Sequence, residues 1–273
     1  MASFLDARAH GGRWLLRLED LDRPRVVSGA AARMLATLER FGFEWDGPVT
    51  RQSDRVANYT SALARLELAD LSFACSCSRR ELEGATRYPG TCRAVASPSP
   101  AATGRRLRVE PRVIAFRDRI QGEFRQDVAA SSGDILLQRR DGIPAYVLAV
   151  VVDDAEQGIS DIVRGADLLD DTPRQIYLQE ALGLPRPRYA HVPALTEADG
   201  AKLAKSRRSV ALDVGRPEEP LLAVLDLLGL RPPAALAQEQ IDAIWAWAFA
   251  AWDPASVPRR LFLPVNTDSG SRV

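Results

Sequence analysis

Lysine is almost missing from this chain. Of 36 basic residues only Lys202 and Lys205 are lysine, so the pair marks a place where a compact ammonium matters more than positive charge as such. Long apolar runs are missing too. The longest, Ala243 to Trp252, is half of the roughly 20 residues that a bilayer-spanning helix needs. Asp6 stands where the apolar stretch of a secretory signal would run, so the expected location is cytoplasmic, without a membrane. Cysteine is scarce and odd in number: three, all between Cys75 and Cys92, which argues against a disulfide framework and suits a metal site. Charge of either sign is not in excess, with a net value of +0. Composition therefore gives no sign of a polyanionic partner, although a local basic face would still serve RNA.

What is present is ordinary for a globular protein: 46% hydrophobic and 26% charged residues in a chain of 273, enough for one sizeable core plus appendages. Residues 2–9 read as the end of a helix stopped by Gly11-Gly12. Arg13 to Leu18 reads as a buried strand ending in Glu19-Asp20. Ser28 is placed to cap a helix through Leu38 closed by Gly42, and a second helix covers Val56 to Leu68. Strands are expected around Leu107–Val109, Val113–Phe116, Gly122–Val128 and Ile159–Arg164. Asp134–Arg140 and Tyr146–Val152 read as two strands around the Asp141-Gly142 turn. Thr172-Pro173 starts a helix that Gly183 ends, and helices return at Pro220–Leu228 and Ile241–Trp252. Strands alternating with helices predict an α/β sheet.

Three stretches carry candidate chemistry. Cys75-Ser76-Cys77 and Tyr88-Pro89-Gly90-Thr91-Cys92 offer three thiolates, and zinc asks for four ligands. The fourth would be Tyr88, brought round by Pro89-Gly90, or a water; the competing reading is three buried free cysteines. Glu19, Asp20 and Asp22 gather at a strand's carboxyl end, where α/β sheets place ligands; they suit an amine or a metal, or else cap a turn. Arg164, at another strand end, could clamp a carboxylate with two hydrogen bonds or pair with Asp161 or Asp167. The loop Lys202-Leu203-Ala204-Lys205-Ser206 would neutralise charge developing on phosphates.

Taken together, RWLLRLEDLDRPR (13–25), CSC and YPGTC (75–92), RRDGIPAYVLAVVVDD (139–154), IVRGADLL (162–169) and AKLAKS (201–206) resemble class I glutamyl-tRNA synthetases. The match is strongest to their short relatives, the glutamyl-Q tRNA(Asp) synthetase family. The resemblance runs from Met1 to about residue 215 and leaves no room for a large anticodon-binding domain. It implies a Rossmann-like catalytic domain over 1–70 and 105–210, a zinc-bearing insertion over 71–104 and a C-terminal helical region over 211–273. It further implies that L-glutamate is activated by ATP, with Mg2+, and passed to the queuosine base of tRNA(Asp) by a monomeric enzyme. Glu19, Tyr146 and Arg164 would bind glutamate and Lys205 would contact ATP. One structural Zn2+ would sit on Cys75, Cys77, Tyr88 and Cys92.

The sequence departs from the pattern twice. Ala204 replaces the serine usual in the lysine loop. More importantly, the first strand, its R-x-A-P-S-P turn and the following H-x-G-type motif are missing. His10-Gly11-Gly12 does not supply them, because a phosphate-binding turn follows a strand and opens a helix; His191, the other histidine, lies far along the chain. The expectation is an N-terminally truncated sequence, with roughly twenty residues belonging upstream of Met1. As written it would exchange little pyrophosphate into ATP. The alternatives are an inactive paralogue retaining zinc and tRNA binding, and a remnant of an ordinary glutamyl-tRNA synthetase.

Overall fold

The computed structural model describes residues 1–78, 80–95, 103–197 and 215–265. In chain order the elements are α1 (Ala2–Ala9), β1 (Arg17–Leu18), α2 (Ala30–Arg40), β2 (Thr50–Arg51), α3 (Val56–Leu68), β3 (Ser72–Cys75) and β4 (Gly104–Leu107). There follow β5 (Val113–Asp118), β6 (Gly122–Asp127), α4 (Val128–Ser131), β7 (Ile135–Gln138), α5 (Tyr146–Glu156), β8 (Asp161–Gly165) and α6 (Thr172–Leu182). The described chain ends with β9 (Arg188–Val192), β10 (Ala194–Thr196), α7 (Glu218–Leu227), α8 (Ile241–Ala251) and β11 (Phe262–Pro264).

The central sheet has the order β6-β5-β9-β8, with β5, β9 and β8 parallel and β6 antiparallel at the edge. β1 pairs with β2 in parallel, and β3-β4-β7 form an antiparallel sheet beside them. The fold is thus mixed α/β, as the sequence predicts. The helix ends written into the sequence are also found: α6 closes on Gly183 at φ 63°, and α3 spans the expected residues.

Two expectations change. Tyr146–Val152 is not a strand but the start of helix α5. Leu148 to Asp153 are all buried, because α5 packs against α3, α6 and β7. A helix covered on every side loses the periodicity that distinguishes it from a buried strand. The strand expected over Arg13–Leu18 shortens to Arg17–Leu18. Bonds from Asp46 and Thr50 N–H to Trp14 and Leu16 O extend it along one side, while its other side faces a groove of about 620 Å3 bounded opposite by Ile159–Arg164. Ser28 does not cap α2; Gly29, at φ 74°, precedes the helix.

The core has two main parts. One joins α3, α5 and α6 to the sheet through Tyr59, Leu66, Leu148, Ile176 and Leu178. The other is aromatic and fastens α7 and α8 to α1: Phe4 meets Trp14, Phe43, Trp245 and Phe249 at centroid distances of 4.9–5.5 Å. Asp6 ties this second part to the sheet, accepting Arg119 Nη1 and Nη2 at 2.6 and 2.8 Å and Trp252 Nε1 at 2.9 Å. Burial works against its charge, but these donors outweigh it and hold the carboxyl below its ordinary pKa. Asp6→Ala leaves the half-buried Arg119 with Asp161 alone and the buried Trp252 indole N–H without its acceptor, and is expected to cost about 1–3 kcal/mol in urea unfolding. The contribution of Asp6 is complete above its unfolded pKa of about 3.9 and is lost as pH falls through the lower folded value. In the Asp6→Ala protein that acid-side decline shrinks.

Candidate active site and metal centre

A cleft forms where β1 and β8 end and α5 begins. Glu19 follows β1, Tyr146 opens α5, and Arg164 lies near the carboxyl end of β8. Tyr146 stands between two hollows: a cavity of about 960 Å3 that Glu19 also lines, and the 620 Å3 groove that Arg164, Arg17 and Asp154 also line. Burial raises the Tyr146 phenol above its ordinary pKa, and Glu19 raises it further against the opposing pull of Arg164. The phenol therefore stays a neutral hydroxyl donor. Burial also raises the Glu19 carboxyl, helped by Asp154 and Asp153 and opposed by Arg17. Glu19 has no hydrogen-bond partner among the described residues, so its carboxylate is available to an incoming cation. Its sequence neighbours are engaged: Asp20 accepts Ser53 N and Oγ at 2.8 Å, and Asp22 pairs with Arg25 and Arg139.

Beneath the cleft lies a braced set of charges. Asp153, fully buried on α5, accepts Arg55 Nε at 2.6 Å, Tyr59 Oη at 2.8 Å and Gln52 Nε2 at 3.0 Å. Arg17 reaches Asp154 at 2.8 Å and Gln157 at 2.7 Å. These acids stand toward the carboxyl end of a helix, where the macrodipole disfavours them; Arg17 and Arg55 supply the compensation and lock α5 to β1 and α3. The position of Tyr146 at the head of α5 follows from that lock.

Arg164 is used differently from the sequence expectation. Its Nε and Nη2 are engaged by His191, Thr172 and Gln175 at 2.8–3.1 Å, so a clamp using both edges of the fork is not offered. Asp161 is held by Arg119 and Arg188.

At a second site, Cys75 ends β3, Cys77 follows it, and the turn carrying Tyr88 and Cys92 folds back over them. The three sulfurs lie within 4.8 Å of one another. Cys77 and Cys92 Sγ are 3.5 Å apart, and Tyr88 Oη lies 3.4 Å from Cys75 Sγ and 3.9 Å from Cys77 Sγ. Metal–sulfur bonds of about 2.3 Å and a metal–oxygen bond of about 2.0 Å set tetrahedron edges near 3.5–3.8 Å, close to the Cys77–Cys92 and Tyr88–Cys75 spacings. The Cys92 N–H donates to Tyr88 Oη at 2.9 Å, holding the phenol oxygen beside the three sulfurs. Arg106 donates to Cys75 Sγ at 3.4 Å and stacks its guanidinium 3.8 Å from the Tyr88 ring centre. Burial and its sulfur neighbours push the Cys77 thiol up to about 11. At Cys92 burial is outweighed by donors from Ser76, bringing the thiol to about 6. The donor set suits a thiophilic dication.

The family model for class I tRNA synthetases (E and Q), catalytic domain, matches residues 1–244. The chain belongs to that family. The resemblance read from its sequence extends well past the motifs. It is 54% identical over 265 residues to the glutamyl-Q tRNA(Asp) synthetase of Pseudomonas aeruginosa, covering 97% of this chain and 90% of that one. The corresponding protein of Ectopseudomonas mendocina is 53% identical over 260 residues, covering 95% and 88%. In fold, the synthetase is similar to the glutamate-tRNA synthetase of Elizabethkingia anophelis, with a TM-score of 0.79 and 22% identity. That alignment covers 99% of this chain and 64% of the other.

Within the synthetase, Glu19 and Tyr146 line one hollow, Tyr146 and Arg164 line the adjoining groove, and Cys75, Cys77, Tyr88 and Cys92 form one cluster. Lys202, Leu203, Ala204, Lys205 and Ser206 lie outside the described residues. Sequence reasoning missed Arg17, Asp153 and Asp154, and also Asp118 and His191 behind Arg164. The adjacent acids at the end of an apolar run were the one available signal. No described helix is long and apolar enough to cross a membrane.

Proposed function

We propose that this synthetase activates L-glutamate with ATP and transfers the glutamyl group to the queuosine base of tRNA(Asp). The observation that carries the reading is 54% identity across 97% of the chain to a relative named for that reaction. In the first step a glutamate carboxylate attacks the α-phosphorus of ATP, and pyrophosphate leaves. In the second, a hydroxyl of the acceptor attacks the adenylate carbonyl, and AMP leaves.

The cleft suits the amino acid. Glu19 pairs with the α-ammonium through a charge-assisted hydrogen bond. Arg164 presents Nη1 to a carboxylate, and Tyr146 donates a hydrogen bond as a neutral phenol. Lys205, with Lys202, neutralises charge on the phosphates as they separate, with Mg2+ on the nucleotide. Cys75, Cys77, Tyr88 and Cys92 would hold one zinc ion, which supplies a structural crosslink and no redox chemistry. Arg106 offsets the negative charge of the four ligands. The test is glutamate-dependent exchange of labelled pyrophosphate into ATP, measured on the full translation product of the gene. Exchange is expected with glutamate and not with glutamine or aspartate; exchange driven equally by all three would refute the assignment of the cleft.

A further inference from the structure

Arg164 is fastened along one edge and open along the other. A guanidinium has five N–H groups. Here Nε donates to His191 Nε2 at 3.1 Å, and Nη2 donates to Thr172 Oγ1 at 2.9 Å and to Gln175 Oε1 at 2.8 Å. Nη1 has no hydrogen-bond partner among the described residues, and Arg164 lines the groove shared with Tyr146 and Asp154.

His191 is wholly buried, and its two ring nitrogens have opposite duties. Nδ1 lies 2.6 Å from Asp118 Oδ2. An ionised carboxylate only accepts, so Nδ1 carries the proton; arginine only donates, so Nε2 presents its lone pair. The tautomer is thereby fixed from both sides. Asp118 is itself held by three backbone N–H groups on Oδ1: Gln121 at 2.8 Å, Ile120 at 3.0 Å and His191 at 3.1 Å. Burial alone would raise its pKa, but these donors and the imidazole keep it low and ionised.

We propose that Asp118 and His191 act as positioning residues, setting the imidazole tautomer that holds Arg164 with Nη1 turned to the substrate carboxylate. Neither touches the substrate. The inference rests on the reading of Arg164 as a carboxylate ligand, and the experiment separates the two.

Asp118→Asn is the sharpest variant. Its amide oxygen stays on the three backbone donors, which turns the amide NH2 toward Nδ1. The imidazole then accepts there and moves its proton to Nε2, setting donor against donor at Arg164. The chain has only two histidines, and His10 is solvent-exposed, so 15N ring signals assign readily. The wild type is expected to show the Nδ1–H tautomer at His191 and Asp118→Asn the Nε2–H tautomer. The KM for glutamate in pyrophosphate exchange rises about tenfold, with the KM for ATP unchanged. His191→Asn keeps a donor for Asp118 and loses the acceptor for Arg164, and the same rise is expected. His191→Gln keeps an acceptor near the Nε2 position and largely restores glutamate binding. Equal effects of Asn and Gln, or an unchanged glutamate KM in Asp118→Asn and His191→Asn, overturn the relay. If Arg164→Gln also leaves the glutamate KM unchanged, the underlying reading of Arg164 fails as well; if it raises KM while the others do not, only the relay fails.

Discussion

Glu19→Gln is expected to lower kcat/KM for glutamate by about tenfold to a hundredfold, the scale of losing one charge-assisted hydrogen bond. The substitution keeps size and shape, so the loss reports charge. Glu19 is the carboxylate of the cleft that has no partner among the described residues, while Asp20 and Asp22 beside it are taken by Ser53 and by Arg25 and Arg139. The pH profile provides a second sign. Burial raises the Glu19 pKa above its ordinary 4.5, and the ammonium of glutamate needs the ionised form. In the wild type kcat/KM therefore falls with acid sooner than an ordinary carboxylate would dictate. In Glu19→Gln that limb disappears from an already low rate. Steady-state pyrophosphate exchange across the acid range measures both, and a Glu19→Gln protein with wild-type kcat/KM would remove Glu19 from the site.

Cys92→Ser is expected to reduce bound zinc from about one equivalent per chain to almost none, because a structural tetrahedral site needs all four ligands. The consequence is local unfolding. The module's own apolar cluster is small: Phe73, Cys75, Tyr88 and Cys92, with Cys77 and Leu82 packed against it. Four of these six residues are the proposed ligands themselves, so metal binding and folding of the module are one event. Limited proteolysis between Ser76 and Arg93 is expected to accelerate at least about tenfold in Cys92→Ser, and likewise in wild type stripped by chelator. Elemental analysis gives the metal content directly. A folded, protease-resistant wild-type protein without metal would show that the sulfurs pack as ordinary small side chains.

The two sites differed in how far the sequence exposed them. The cysteine cluster was legible because its side chains fall within eighteen residues, and a short turn brings them together with little help from the rest of the fold. Tyr146 lies on a different element from the one expected. Its helix is buried all round, so apolar pattern alone matched a strand, and only the tertiary packing of α5 on α3 and α6 decides. Arg164 was legible as the end of a strand. Its partners were not: His191, Thr172 and Gln175 come from β9 and α6, and Asp118 from β5, so only the assembled sheet brings them behind the guanidinium. The same holds for Asp6, whose partners Arg119 and Trp252 lie 113 and 246 residues away. Its role in joining α1, the sheet and the C-terminal helices has no local signature.

The most direct test of the proposed reaction is where labelled glutamate ends up on tRNA. The full gene product is incubated with ATP, labelled glutamate and tRNA(Asp), either carrying queuosine or prepared without it, and the charged tRNA is cleaved to separate the anticodon from the 3′ end. The account predicts label on the anticodon fragment of queuosine-bearing tRNA(Asp) and none on tRNA lacking that base. Label at the 3′ end, independent of queuosine, would contradict it and assign the chain to ordinary acceptor-end charging.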